Sequence, residues 1–276
     1  MSDGIPIVID DPLDPRIAEF HAVRERDLTG RHGRFIAEGT VVLRMLAKAH
    51  AEGRGVTAEK ILLLRNRLSG VKDVLAAFPP EVPVYVAEAA VIDAIAGFHL
   101  HRGVLAVGMR AAERTLADQI AALPERALVL VACGISNHDN AGAIFRNASA
   151  FNVDSVFLDE TCCDPLYRKA LRVSVGAVLT MPYSRQQTAD AILTALSENG
   201  FDIWALSPGG ETEMRDIPAS ARMALVTGTE GEGLPAAILS RFRTARIAQS
   251  KGLDSLNAGT ATGIALYSAA LAQGRL

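Results

Sequence analysis

Between Ala127 and Gly228 the chain alternates short apolar runs with longer helical stretches, and that rhythm restricts the fold more than any other feature. The runs are ALVLVAC (127–133), DSVFLD (154–159), AVLTMPY (177–183), FDIWALS (201–207) and MALVTG (223–228). Each has the length of a strand, and most lack a polar face. Between two of them, QTADAILTALSENG (187–200) sets Ile192, Ala195 and Leu196 on one side of a helix, with Gly200 as its stop. Short apolar strands joined by helices predict a parallel sheet covered on both faces. Such sheets bind ligands beyond the carboxyl ends of their strands, so the loops after the strands are where function is sought.

The first third has a different texture. EGTVVLRMLAKAHAEG (38–53) carries Val42, Leu46 and Ala49 on one helical side, with Val41 and Met45 beside them. KILLLRN (60–66), EVPVYVAE (81–88) and RGVLAVGMR (102–110) read as strands. Together they predict a smaller α/β domain over residues 1–112. The polar, Ala-rich stretch that follows, ending at Pro124, reads as a linker over 113–124, with room for a helical turn. The parallel-sheet domain is expected over 125–276. A chain of 276 residues is long enough to give both units a core.

Several function classes drop out. No apolar run reaches the length of a membrane span. The opening MSDGIPIVIDDPLDP is acidic and lacks the basic start and apolar stretch of a signal peptide, which predicts a cytoplasmic protein. Three cysteines, two of them adjacent at Cys162 and Cys163, give neither a disulfide framework nor a zinc pattern. His99 and His101 share a face if extended; a solvated or RNA-facing pair is a better reading than a metal site. No metal is expected.

The net charge is −3, which does not announce a nucleic-acid binder. From His21 to Lys72, however, eleven basic residues face five acids. That local excess suits phosphate contacts and equally suits a solvated helix face.

The loop after the first strand of the larger domain has no GxGxxG and the chain has no GxxxxGK[ST], which argues against dinucleotide and P-loop sites. Three other stretches stand out. NHDNAGAIFRNASAF puts Asn140, Gly142 and Arg146 on the opening turns of a helix, with Asp139 or Asn140 placed to cap it. LVTGTEGEGL (225–234) spaces glycines at 228, 231 and 233 around Glu230, and glycine permits left-handed backbone and close ligand approach. The plain alternative is a turn before a helix starting at Pro235. RIAQSKGLDSLNAGTATGIALYS (246–268) leads into a helix lined by Ala258, Gly259, Ala261, Gly263 and Ala265, small enough for close helix packing. Singly each is weak, and no spacing rule derives their combination.

In this order the three stretches resemble the motifs of the SpoU/TrmH family of RNA ribose 2′-O-methyltransferases, within the SPOUT class. The first matches Asn-x-Gly-x-x-x-Arg at Asn140, Gly142 and Arg146. The second matches Leu-Val-x-Gly-x-Glu-Gly-x-Gly at Leu225, Val226, Gly228, Glu230, Gly231 and Gly233. The third matches Ser-Leu-Asn at Ser255, Leu256 and Asn257. The resemblance covers roughly 125–276 strongly. More weakly, GRFIAEGTVVLRMLAKA and HRGVLAV resemble an L30e-like RNA-binding domain.

The resemblance implies a SPOUT domain with a deep trefoil knot, an exception to the usual absence of knots. It implies S-adenosyl-L-methionine as cofactor, held around Thr227, Gly228, Gly231, Ile247, Leu256 and Asn257. It implies RNA (rRNA or tRNA) as substrate and a homodimer through the knotted domain. Asn140, Arg146, Glu230, Ser255 and Asn257 are the implied catalytic set. One departure is visible: the family's Ile-Pro-Met is Ile247-Ala248-Gln249 here, which loosens a cofactor loop. It keeps open a non-catalytic RNA-binding relative as the alternative.

Methyl transfer to a ribose hydroxyl needs the nucleophile held in line, a route for its proton and a grip on RNA. The family's arginine is often assigned as base. A guanidinium is practically never deprotonated in proteins, so positioning the hydroxyl and stabilising charge is the easier role for Arg146. Asn140 is expected to bond with Glu230 across the site.

Overall fold

The structure, a computed structural model, describes residues 6–21, 33–96, 102–111, 114–250, 252 and 255–276. His99 and His101, and Arg24, Arg26 and Arg31 of the basic stretch, lie outside those residues. Two compact units emerge: Met1–Glu113 with Leu166–Thr180, and Arg114–Pro165 with Met181–Leu276. Among the described residues the helices are α1 (Thr40–Ala51), α2 (Lys72–Leu75), α3 (Ala89–Ala96), α4 (Leu116–Ala121), α5 (His138–Ala150), α6 (Arg168–Val173), α7 (Ala189–Glu198), α8 (Ala236–Arg241) and α9 (Ala258–Ala272).

In the first unit, β1 (Ile7–Ile9), β2 (Arg34–Glu38), β3 (Val56–Leu64), β4 (Val84–Ala87) and β5 (Val104–Arg110) form a sheet in the order β1-β4-β3-β5-β2. β5 runs antiparallel to both neighbours, and the rest is parallel. α1 buries Val42, Leu46 and Ala49, as its spacing predicts, and leaves Val41 exposed. The basic stretch is largely ion-paired. Arg34 meets Glu59 at 2.6 Å, Arg44 meets Asp73 at 2.8 Å, Lys60 meets Glu19 at 2.8 Å, and Arg65 pairs with Glu88. Most of these partners, Glu19, Asp73 and Glu88 among them, come from outside the counted window. The local excess of charge in the sequence is therefore partly offset in space.

The segment 166–180 belongs to this unit, against the expectation that everything after residue 125 falls in the larger domain. The cause is local. Glu38 is only 5% exposed, and Arg172 and Arg168 approach its carboxylate at 3.4 and 3.6 Å. A carboxylate so buried needs cationic partners. Gly176, at φ 83°, lies so close to Met45 that a Cβ would come within 2.7 Å of its side chain.

The second unit is a seven-stranded, wholly parallel sheet. Its strands are β6 (Ala127–Ala132), β7 (Ser155–Asp159), β8 (Tyr183–Gln187), β9 (Asp202–Leu206), β10 (Thr212–Glu213), β11 (Arg222–Thr227) and β12 (Arg243–Arg246), in the order β10-β12-β9-β11-β6-β7-β8. Every residue of β6 is buried, which explains its unbroken apolar run. From β6 the chain steps outward through β7 to β8, then crosses to β9 on the other side of β11. The order thus reverses between β6 and β11, and a crevice is expected beyond their carboxyl ends.

Three details differ from the sequence reading. The run 177–183 is not a strand. Ala177–Leu179 is a buried 3-10 turn entered from left-handed Gly176, and β8 starts only at Tyr183. A short apolar run does not by itself distinguish the two. The helical turn allowed within 113–124 is α4, which does more than link: it is capped by Thr115, buries Ile120 and bonds Gln119 to Ser155. β10 and β12 escaped notice because they are two and four residues long and, in β12, rich in arginine.

Candidate functional site

α5 carries the first motif. Its cap is Asn137, whose side chain accepts from the Asp139 backbone N–H at 2.8 Å, so neither Asp139 nor Asn140 has that role. Asn140 falls in the first turn and is 5% exposed; Gly142 is buried, and Arg146 is exposed further along. Arg146 makes no hydrogen bond or ion pair among the described residues. Its exposed guanidinium is left available to a partner from outside the chain.

α9 carries the third motif and packs against α5. A Cβ on Gly259 would lie 2.7 Å from the Ala143 Cβ, and one on Gly263 would lie 2.8 Å from Asn147 Nδ2. These two glycines serve close helix packing. Asn147 uses the approach, donating from Nδ2 to the Gly259 carbonyl at 2.8 Å. The polar Asn147 of the first motif is therefore a clasp between the two helices.

That packing delivers Asn257 to the end of the sheet, where it joins all three motifs. Its Oδ1 caps α9 by accepting from the Thr260 backbone N–H at 3.1 Å. Its Nδ2 donates to Asn140 Oδ1 at 2.8 Å and to Glu230 Oε1 at 2.5 Å. An amide nitrogen has two hydrogens, and both are used. Asn140 and Glu230 are thus linked through Asn257, and the direct bond expected between them is not made.

Beside this hub lies a cavity of about 220 Å³. Thr227, Gly228, Glu230, Gly231, Ile247, Ser255 and Leu256 line it; Asn140, Arg146 and Asn257 do not. Leu206, Ser207 and Pro208 form a wall that no motif announced, although the strand-end rule pointed to the loop after β9. Gln249 lines it as well, from the departed Ile247-Ala248-Gln249 stretch. The lining holds two carboxylates, Glu230 and Glu232, and no lysine, arginine or histidine among the described residues.

The glycine loop has a definite geometry. A Cβ on Gly228 would meet the Gly233 carbonyl carbon at 2.5 Å, so the loop closes on itself there. Gly231 and Gly233 take φ of 89° and 71°, where side chains are strained. Gly228→Ala is expected to destabilise the protein by about 1–3 kcal/mol, as overpacking against backbone does. Chemical denaturation checks this, and an unchanged midpoint would contradict the close approach.

The cysteines take no part. Burial pushes the Cys133 thiol up to about 12 and the Cys163 thiol up to about 11, and Cys162 is raised by the same cause. All three remain protonated near neutral pH, so none offers a thiolate nucleophile. No cluster of three His, Cys, Asp or Glu side chains suited to a metal ion occurs among the described residues.

Comparison with known proteins points one way. A sequence model of the SpoU rRNA Methylase family matches residues 127–267. An uncharacterized tRNA/rRNA methyltransferase of Mycobacterium bovis is 39% identical over 96% of this chain and 92% of its own. A solved structure of an RNA 2′-O ribose methyltransferase is 26% identical, covering 99% of this chain and 100% of its own, with a TM-score of 0.78. An AdoMet-bound rRNA methyltransferase from Sinorhizobium meliloti shares the fold at 22% identity, covering 95% of this chain and 96% of its own, also with a TM-score of 0.78.

Proposed function

The chain belongs to the SpoU rRNA methylase family, and from that premise we propose that it methylates the 2′-hydroxyl of a ribose in structured ribosomal or transfer RNA. It is an S-adenosylmethionine-dependent RNA methyltransferase. The finer reading rests on one observation above all: Asn257 bonds at once to Asn140 and Glu230, so the three family motifs form one polar cluster at the rim of one cavity.

The residues present fit the cofactor. Leu206, Ile247 and Leu256 give the cavity an apolar wall suited to an adenine ring, and the glycine loop offers bare backbone to polar edges. Glu230 and Glu232 put negative charge where a cationic centre would be held. Thr227, Gly228, Gly231, Ile247 and Leu256 would hold it, with Asn257 fixing the loop from outside the cavity. Bound S-adenosylmethionine supplies a methyl group on a positively charged sulfur.

The chain's own residues then have distinct tasks. Arg146 grips the phosphate or 2′-oxygen of the target nucleotide with a charge-assisted fork. Glu230 has Oε1 engaged by Asn257, which leaves Oε2 to accept from the ribose hydroxyl and hold it at the cavity rim. Asn140 and Asn257 keep that carboxylate in place. Ser255, exposed at the cavity edge, adds a second polar contact. The exposed Glu230 carboxylate would give the proton of the ribose hydroxyl a route to solvent.

The same reading makes the second unit a trefoil-knotted SPOUT domain. The parallel strand order supports it, as does the return of α9 to α5 after β12 on the far side of β9. It makes the first unit an L30e-like RNA-binding domain and pairs two copies through the knotted one. Exposed Ile264, Tyr267 and Leu271 on α9 support pairing, since large apolar groups so grouped favour burial. No helix among the described residues is long and apolar enough to cross a membrane.

Transfer of tritiated methyl groups to total RNA from a strain lacking this protein tests the reaction. Label is expected in one RNA, at a phosphodiester that resists alkali because its 2′-oxygen is blocked. Label recovered on a base would defeat the ribose assignment. Cofactor binding without any transfer would favour the non-catalytic RNA-binding relative.

A further inference from the structure

We propose that Arg246 is a positioning residue that latches the 207–213 loop into place as a wall of the cofactor cavity. The inference rests on the reading of that cavity as the S-adenosylmethionine site. Arg246 ends β12, and its neighbours Ala245 and Ile247 both line the cavity. Its guanidinium turns toward the loop after β9. Nη1 donates to the carbonyls of Gly210 at 2.7 Å and Glu211 at 2.9 Å, and Nη2 meets Glu213 Oε1 at 3.4 Å.

A loop's carbonyls would otherwise point to water, and one planar cation collects two of them with a carboxylate. The backbone completes the seam. Ser207 N–H donates to the Ala245 carbonyl at 2.9 Å, and Glu211 N–H donates to Thr244 Oγ1 at 3.0 Å. Gly210 sits so close to β12 that a Cβ would lie 2.5 Å from the Ala245 carbonyl carbon. Leu206, Ser207 and Pro208 are thereby held in the lining that they share with the glycine loop.

The latch has a particular use in this chain. Where the family's sequences place Pro after the isoleucine, this chain has Ala248, which fixes φ less firmly. Arg246 ties down the same strand end from its other side, through the loop and not through the backbone of residue 248. Its effect belongs to cofactor affinity: its partners are Gly210, Glu211 and Glu213, none of them a member of the hub of Asn140, Glu230 and Asn257.

The test compares Arg246→Ala, Arg246→Lys and Glu213→Gln with the unaltered protein. Arg243→Ala is the control, since Arg243 leaves the same strand for Asp202 and the face of Trp204, away from the cavity. Calorimetric titration with S-adenosylmethionine is expected to show about a tenfold loss of affinity for Arg246→Ala, a smaller loss for Glu213→Gln and partial recovery with lysine. KM for the cofactor should rise in parallel while kcat at saturation changes less than twofold. Without any cofactor, hydrogen exchange at the Gly210 and Glu211 amides should accelerate in Arg246→Ala and stay unchanged in Arg243→Ala. Unaltered affinity and exchange in Arg246→Ala would overturn the latch alone, as would equal losses of affinity in Arg246→Ala and Arg243→Ala. No binding of S-adenosylmethionine by the unaltered protein would overturn both the latch and the cavity assignment.

Discussion

Arg146→Ala is expected to cut methyl transfer by about a hundred- to a thousandfold, the loss seen when a preorganised donor to developing charge is removed. Its thermal stability and its affinity for S-adenosylmethionine should match those of the unaltered protein. The separation follows from position. Arg146 is exposed, has no hydrogen-bond or ion-pair partner among the described residues and does not line the cavity, so no such bond among them is lost with it. On the proposed reading, what is lost is a bond to the RNA. Arg146→Lys keeps the charge without the planar fork and should recover only part of the rate. Single-turnover methylation with saturating cofactor is the measurement. Near-normal turnover in the alanine variant would remove Arg146 from the mechanism, and a collapse in stability would make it structural.

The second large effect is at Asn257, where two substitutions separate two roles. Asn257→Ala deletes the cap of α9, costing about 1 kcal/mol, and also releases Asn140 and Glu230. Asn257→Asp keeps an oxygen for the Thr260 N–H but no longer donates, and it sets a second carboxylate against Glu230. Both variants should lose about a hundredfold in rate, and only the alanine variant should lose cap stability. The aspartate variant has a further signature. Two adjacent carboxylates resist double ionisation, so one of them stays protonated to a higher pH than usual. Lowering the pH puts a proton between them and restores a hydrogen bond, so the variant's rate relative to the unaltered protein should rise as pH falls. Equal ratios from pH 5 to pH 8 would show that Asn257 does not bridge the pair.

The parallel sheet was legible because its strands are buried on both faces and therefore apolar throughout. Burial also caused the error at 177–183, where a hidden 3-10 turn has the composition of a hidden strand. β12 was invisible for the opposite reason, since it is short and carries arginines whose partners lie elsewhere in the chain, Asp202 for Arg243 and the loop after β9 for Arg246. Thr227, Gly228, Gly231, Ile247 and Leu256 of the motif stretches share one cavity, whereas Asn257 lies outside its lining and the wall of Leu206, Ser207 and Pro208 carries no motif. Hydrogen-bond partners have no such trace. Nothing in the spacing distinguishes a bond from Asn140 to Glu230 from two bonds through Asn257, since that choice depends on how closely α9 approaches α5. The glycines at 259 and 263 hinted at a close approach without naming what lay on the other side. The destination of residues 166–180 was equally hidden, resting on one buried glutamate far away in sequence.

The Asn257 hub also sets a schedule for biosynthesis. Its three members stand at positions 140, 230 and 257, so every strand of the sheet, the last ending at Arg246, is synthesised before the last of them appears. A nascent or prematurely terminated chain has β6 through β11 and an uncovered α5, but no bridge across the motifs. Such a chain presents apolar surface without a working site, which is a target for chaperones and proteases more than a hazard to RNA. If the hub works as proposed, methyl transfer requires a chain that has passed Asn257.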